Sequence, residues 1–182
     1  MRTTSAIFLL SLSIICPSIA RAQEGPGCGP PDLTFDVSTK KGGPPAPAPG
    51  PGKALVYFLQ DDVKYSARPR PTTRFGIDGT WVGATHANSY FYVFVDAGDH
   101  HLCANWQSDV TPFQFGPKRS TAAAHFTAEA GKSYYFRARD IAITDGRGQL
   151  VSEPEVALSP MDIDEAQVLM NSFSLSSSRP KK

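Results

Sequence analysis

A chain of 182 residues, 41% apolar and 19% charged, has room for one folded domain plus appendages. Its formal net charge of +1 excludes the basic footprint that a nucleic acid or an anionic membrane would demand. No apolar run beyond the N-terminus approaches membrane length, which excludes a transmembrane helix once that terminus is removed.

At the start of the chain, Arg2 precedes the apolar run AIFLLSLSIIC and then Ala20-Arg21-Ala22, a small-x-small pattern. Residues 1–22 therefore read as a secretory signal peptide, with cleavage before Gln23. The run is short for a retained anchor and leads into Pro17, and Ile15 is not the small residue that acylation at Cys16 would want, so lipid anchoring is not expected. The mature chain keeps two cysteines, Cys28 and Cys103, and in an oxidising compartment one pair implies one disulfide. On chain-entropy grounds, closing a loop of about 75 residues removes roughly 4 to 5 kcal/mol of denatured-state freedom.

Residues 23–52 read as an N-terminal arm and linker. LTFDV (33–37) alternates as a short strand does, and GGPPAPAPGPG (42–52) lacks the amide donors to join a sheet. From Lys53 to Phe173 the texture is that of one β domain. KALVYFLQ is apolar at nearly every position and predicts a strand buried on both faces. TTRFGID, Asp78-Gly79 and TWVGAT predict a hairpin on an Asp-Gly turn. NSYFYVFVD is a strand that AGD turns into HHLCANWQ; a longer loop, SDVTPFQFGPKRS, should tuck Phe113 and Phe115 onto the domain edge. AAHFTA and KSYYFRARDIAIT predict a further pair about EAGK, and Pro154 puts LVSEPEVAL at a sheet edge. Ile163, Ala166, Leu169, Met170 and Phe173 share one helical face, predicting a helix from about residue 160 to 172 with Ser159 as N-cap and Pro160 at its first position. Residues 174–182, ending in SRPKK, read as a polar, basic, solvated tail. No helix is long enough to cross between parallel strands, so the fold expected is a mainly antiparallel β-sandwich with one C-terminal helix; a small closed barrel is the alternative.

Candidate chemistry is sparse. In DAGDHHLCANWQS (96–108) a strand's period sends His100, Leu102, Ala104 and Trp106 to one face and His101, Cys103 and Asn105 to the other. Adjacent histidines thus diverge, and only His101, Cys103 and His125 could converge on a metal, with Cys103 already claimed by the disulfide. There is no Gly-x-Ser-x-Gly elbow and no phosphate-binding glycine loop. Asp61-Asp62 falls in a loop, and Asp162 and Asp164 are explained as helix-start charges. No catalytic residue, metal or cofactor is expected. The alternating aromatics leave one possible binding face for a peptide or glycan: Tyr90, Tyr92, Tyr135, Arg137 and Arg139, set against the simpler reading in which that face is covered.

GKALVYFLQD, RFGIDGTWVGATHANSYFYVFVDAGDHHLC and FTAEAGKSYYFRARDI, in this order over about residues 53–143, resemble successive blocks of an exported bacterial family catalogued as domain of unknown function 2846. The resemblance implies a small sandwich like PEGA-type and prealbumin-like modules and a setting in the bacterial envelope, periplasmic or secreted. It carries over no catalytic residue. The function expected is a non-catalytic structural or binding module with an envelope protein or glycan as partner. The alternatives are a metal-dependent enzyme using His101 and His125, and a carrier of a small apolar ligand if the sheet closes into a barrel.

Overall fold

The structure is a computed structural model that describes residues 28–43, 46–66, 69–107 and 121–182. Residues 1–22, read from the sequence as a signal peptide, and the loop carrying Phe113 and Phe115 lie outside the described residues. The strands are β1 (Phe35–Lys41), β2 (Lys53–Asp61), β3 (Thr73–Ile77), β4 (Thr80–Thr85), β5 (Ser89–Asp96), β6 (Gly98–Trp106), β7 (Thr121–Ala128), β8 (Ser133–Ile141) and β9 (Glu155–Pro160); helix α1 (Ile163–Ser172) and strand β10 (Ser174–Pro180) follow. They form a six-stranded sheet, β1-β10-β5-β2-β8-β9, and a four-stranded sheet, β4-β3-β6-β7. Val56, Phe58, Phe91 and Phe136 of the first meet Phe75, Leu102, Ala104 and Trp106 of the second in one core. The fold is a β-sandwich, and its interior is filled with aromatic side chains.

Local chemistry explains the elements. β2 is paired along both edges, with β5 and β8, and every residue of it except Lys53 and Tyr57 is buried, so apolar side chains are tolerated on both faces. Asp78 (φ 49°) and Gly79 (φ 78°) both take left-handed conformations, as a type I′ hairpin turn requires. His100, Leu102, Ala104 and Trp106 are buried while His101 is exposed, as the strand period predicts.

Strand partners differ from the sequence reading in three places. β7 and β8 do not pair: β7 pairs with β6 and β8 with β2, so EAGK is an arch from one sheet to the other. Both strands feed the same core, and alternation cannot reveal which layer each joins. Two pairings, β2 with β8 and β10 with β5, are parallel, while the other six are antiparallel. The crossover from β2 to β8 runs through other strands of the sandwich and needs no helix. Finally, residues 174–180, read as a solvated tail, are strand β10, paired along its length with β1. Its small serines fit where larger residues would not: Ser176 Oγ meets Ser89 Oγ at 2.8 Å, and Ser178 Oγ accepts from Ala84 N at 3.1 Å.

The helix starts three residues later than the period suggested. Ser159 and Pro160 stay in β9, opposite Arg137 and Phe136, and Asp162 caps the helix by accepting from Asp164 N. β9 lies at a sheet edge, where Pro154 had placed it.

The N-terminal arm is held by more than one interaction. Cys28 and Cys103 stand at disulfide distance, Cα to Cα 5.4 Å. Trp81 Nε1 donates to Pro30 O at 2.8 Å, and the Arg74 guanidinium stacks 4.2 Å from the Trp81 ring while donating to Pro31 O and Leu33 O. Phe35, Trp81, Ala84 and Cys103 thereby form a second, smaller core. The strand expected at 33–37 is β1, displaced toward Lys41 and annexed to the six-stranded sheet.

Candidate functional site

The outward face of the six-stranded sheet gathers the tyrosines. Tyr57 on β2 is in register with Tyr92 on β5 and with Tyr135 on β8, so three rings form a row across adjacent strands. Tyr57 stacks on Tyr135 with centroids 4.8 Å apart and an interplanar angle of 13°, and it meets Tyr92 at 5.7 Å and 55°. Burial, and next the neighbouring phenols Tyr135, Tyr90 and Tyr92, push the Tyr57 hydroxyl up to about 12. Tyr90 and Tyr135 are also raised, chiefly by burial. These phenols stay neutral at physiological pH and serve as flat apolar surfaces with a polar rim.

Two segments border this face. Glu165 of α1 lies 2.5 Å from Arg137 Nη1, which fixes the helix over β8. On the other side, β1 and β2 point the same way, because β1 is antiparallel to β10, β10 parallel to β5 and β5 antiparallel to β2. The start of β2 thus lies across β10 and β5 from the end of β1. Of the described residues that connect them, Gly42 (φ 64°) and Gly52 (φ 71°) take left-handed turn conformations, and Gly43, Ala46 and Pro49 are half-buried. Between these residues and the end of α1 lies a groove of about 550 Å³, floored by Tyr57 and Tyr90 and walled by Lys41, Gly43, Ala46, Met170, Asn171 and Phe173.

Tyr90, Tyr92, Tyr135, Arg137 and Arg139 all lie on this one face, but only Tyr90 among them lines the groove. The arginines are engaged elsewhere: Asp61 Oδ2 lies 4.0 Å from Arg137 Nη1 and 3.6 Å from Arg139 Nε. Tyr57 belongs to the same face and went unsingled in the sequence because it sits inside an apolar run.

A second cluster, also unforeseen, lies inside the sandwich. Asp140 of β8 is fully buried and accepts from Gln60 Nε2 at 2.6 Å, Trp106 Nε1 at 2.8 Å and Thr73 Oγ1 at 3.4 Å. Thr85 Oγ1 donates to Gln60 Oε1 at 2.8 Å, which orients the amide so that Nε2 also reaches Asp62 Oδ1 at 3.1 Å. Asp62 is buried rather than in an open loop. Asp62 Oδ1 and Asp140 Oδ2 converge on the same donor, Gln60 Nε2, which brings two carboxyls together in the core. Burial raises both above the usual carboxylate range, and for Asp140 the neighbouring Asp62 adds to the effect. Arg70 Nη1 lies 3.9 Å from Asp62 Oδ2. The buried Asp140 carboxyl and Gln60 amide tie residues of both sheets together and present nothing to a substrate. Its signal in the sequence was a glutamine at an inward-facing position of an apolar strand.

The histidines divide. His86 Nδ1 meets Thr72 Oγ1 at 3.0 Å; His100 meets Asp78 Oδ2 through Nδ1 at 2.7 Å and Asp96 O through Nε2 at 2.9 Å. His101 and His125 oppose each other across β6 and β7 with centroids 5.2 Å apart. Cys103, facing Cys28, does not join them, and among the described residues no group of three or more His, Cys, Asp or Glu could hold a metal ion. No described helix is long and apolar enough to cross a membrane. Neither a family model, nor a curated protein, nor a solved structure matches the chain.

Proposed function

We propose that this chain is an exported bacterial cell-envelope module, non-catalytic, whose tyrosine-floored groove binds a segment of an envelope protein or glycan. The observation that carries the reading is the row Tyr92, Tyr57, Tyr135 beside an open groove of about 550 Å³, within the size range of ligand-binding clefts. Neutral tyrosine rings offer large contact area at low conformational cost, and Lys41 and Asn171 at the rim supply polar contacts. Export is supported by the Arg2 to Ala22 segment and by a cysteine pair at disulfide distance. A carrier of small apolar ligands is disfavoured by the filled core between two separate sheets.

The test is a capture from native envelope extract with the wild-type protein and a Tyr90→Ala, Met170→Ala double variant, followed by titration of the captured protein or glycan. The double variant is expected to lose at least tenfold in affinity while keeping its fold by circular dichroism. Equal affinity of both proteins for every captured species would defeat the reading. N-terminal sequencing of the exported form should begin at Gln23, and an intact Met1 would remove the export claim.

A further inference from the structure

Of the four histidines, two have a ring nitrogen engaged by a neighbouring group and two face each other with theirs uncommitted. His86 and His100 are the engaged pair, held by Thr72 and by Asp78 with the Asp96 carbonyl. His101 and His125 are exposed, directly opposite in the antiparallel register of β6 and β7, and inclined to one another by 52°. Among the described residues neither ring makes a hydrogen bond or ion pair.

We propose that His101 and His125 form a bidentate site for a divalent transition-metal ion, Cu²⁺, Ni²⁺ or Zn²⁺, on the outer face of the four-stranded sheet. Directly opposed residues of an antiparallel pair carry Cβ atoms about 4.5 to 5.5 Å apart, so both imidazoles reach one point above the sheet. With metal to nitrogen distances of about 2.0 to 2.1 Å, the two donor nitrogens must come roughly 3 Å apart, which rings with centroids 5.2 Å apart achieve by side-chain rotation alone. The backbone supplies preorganisation: His101 N–H donates to Asp78 Oδ1 at 2.8 Å, and the register with β7 fixes the second ligand. Imidazole nitrogen selects these ions over Ca²⁺ and Mg²⁺, which want oxygen. The Asp78 carboxylate, committed to His100 and to the His101 amide, adds a nearby negative charge without being a ligand. Two donors leave coordination positions open to water or to a donor atom of a bound molecule, unlike a closed structural zinc site. The site is on the opposite outer face from the tyrosine groove, so its existence does not depend on the function proposed for that groove.

The experiment is calorimetric titration of the untagged, chelator-treated mature chain with CuCl₂, NiCl₂ and ZnCl₂, with CaCl₂ and MgCl₂ for comparison. Saturable binding of Cu²⁺, tighter than that of Ni²⁺ or Zn²⁺, is expected, with none for Ca²⁺ or Mg²⁺. His101→Ala and His125→Ala should each weaken Cu²⁺ binding at least tenfold, and His86→Ala should leave it within twofold. Both positions are exposed, so the variants should fold, as circular dichroism will check. Absence of saturable Cu²⁺ binding in the wild type, or affinity kept within twofold in either His101→Ala or His125→Ala, overturns the proposal.

Discussion

Asp61 and Asp62 are neighbours in the chain and occupy opposite environments. Asp61 ends β2 on the outward face, where its carboxylate lies between Arg137 and Arg139 at the margin of the tyrosine surface. Asp62 turns inward, where its nearest acidic neighbour is the carboxyl of Asp140 and its guanidinium, Arg70, stands 3.9 Å away. Both side chains are buried, and what separates them is the charge they meet: two guanidiniums for Asp61, a second carboxyl for Asp62. The inner arrangement is the more consequential, because three buried donors depend on the one Asp140 carboxyl and have no water to turn to.

The inner pair is where a substitution should be felt most. Asp140→Ala removes the acceptor for Gln60, Trp106 and Thr73 together and should destabilise the domain by about 3 to 5 kcal/mol in urea unfolding with an unchanged m-value. A loss below about 1 kcal/mol would mean that the inner cluster is no more demanding than the outer one.

Next comes pH. Asp62 and Asp140 both have folded-state values raised above the ordinary 3.8, so the folded protein binds protons at these carboxyls more tightly than the unfolded chain does. Their contribution is fully present below about pH 4 and is lost as pH rises through the folded-state values, at up to about 1.4 kcal/mol per pH unit for one proton. Asp140→Asn replaces the titrating carboxyl with an amide, so the wild-type minus variant difference in unfolding free energy should decline from acid toward neutral pH. A flat difference would show that burial does not raise the Asp140 carboxyl.

The outer network should respond less. Asp61→Asn is expected to cost about 1 kcal/mol, because its contacts to the arginines are long, 3.6 and 4.0 Å, and Arg137 keeps Glu165. Glu165→Ala should change stability by less than about 0.5 kcal/mol, because the glutamate is half-exposed and Arg137 retains Asp61. If either outer substitution matched Asp140→Ala, the buried donors that depend on Asp140 would not be what makes the inner cluster the more demanding.

Much of the sandwich was legible residue by residue. The two-faced burial of β2, the Asp78-Gly79 hairpin and the split of His100 from His101 all follow from backbone period and turn chemistry, which act over a few residues. The helix was legible as a face but not as a start, because Asp162 and Ser159 are both competent caps and only the pairing of β9 with β8 decides between them. The candidate groove was half legible: the outward tyrosines of β5 and β8 could be read from alternation, whereas Tyr57 and the placement of the start of β2 across β10 and β5 from the end of β1 depend on the order β1-β10-β5-β2.

By itself the sequence determined which stretches would be strands, which faces of them would be apolar, and which cysteines would be available to pair, because these are properties of local geometry and composition. Only the tertiary structure decided that β7 and β8 serve different sheets, that the serine-rich C-terminus is a strand, and that Gln60 and Asp140, 80 residues apart, share a hydrogen bond. Backbone hydrogen bonds make strands pair without regard to side-chain pattern. Which edges meet, and which buried polar groups must then satisfy each other, is set by how the layers close around the core.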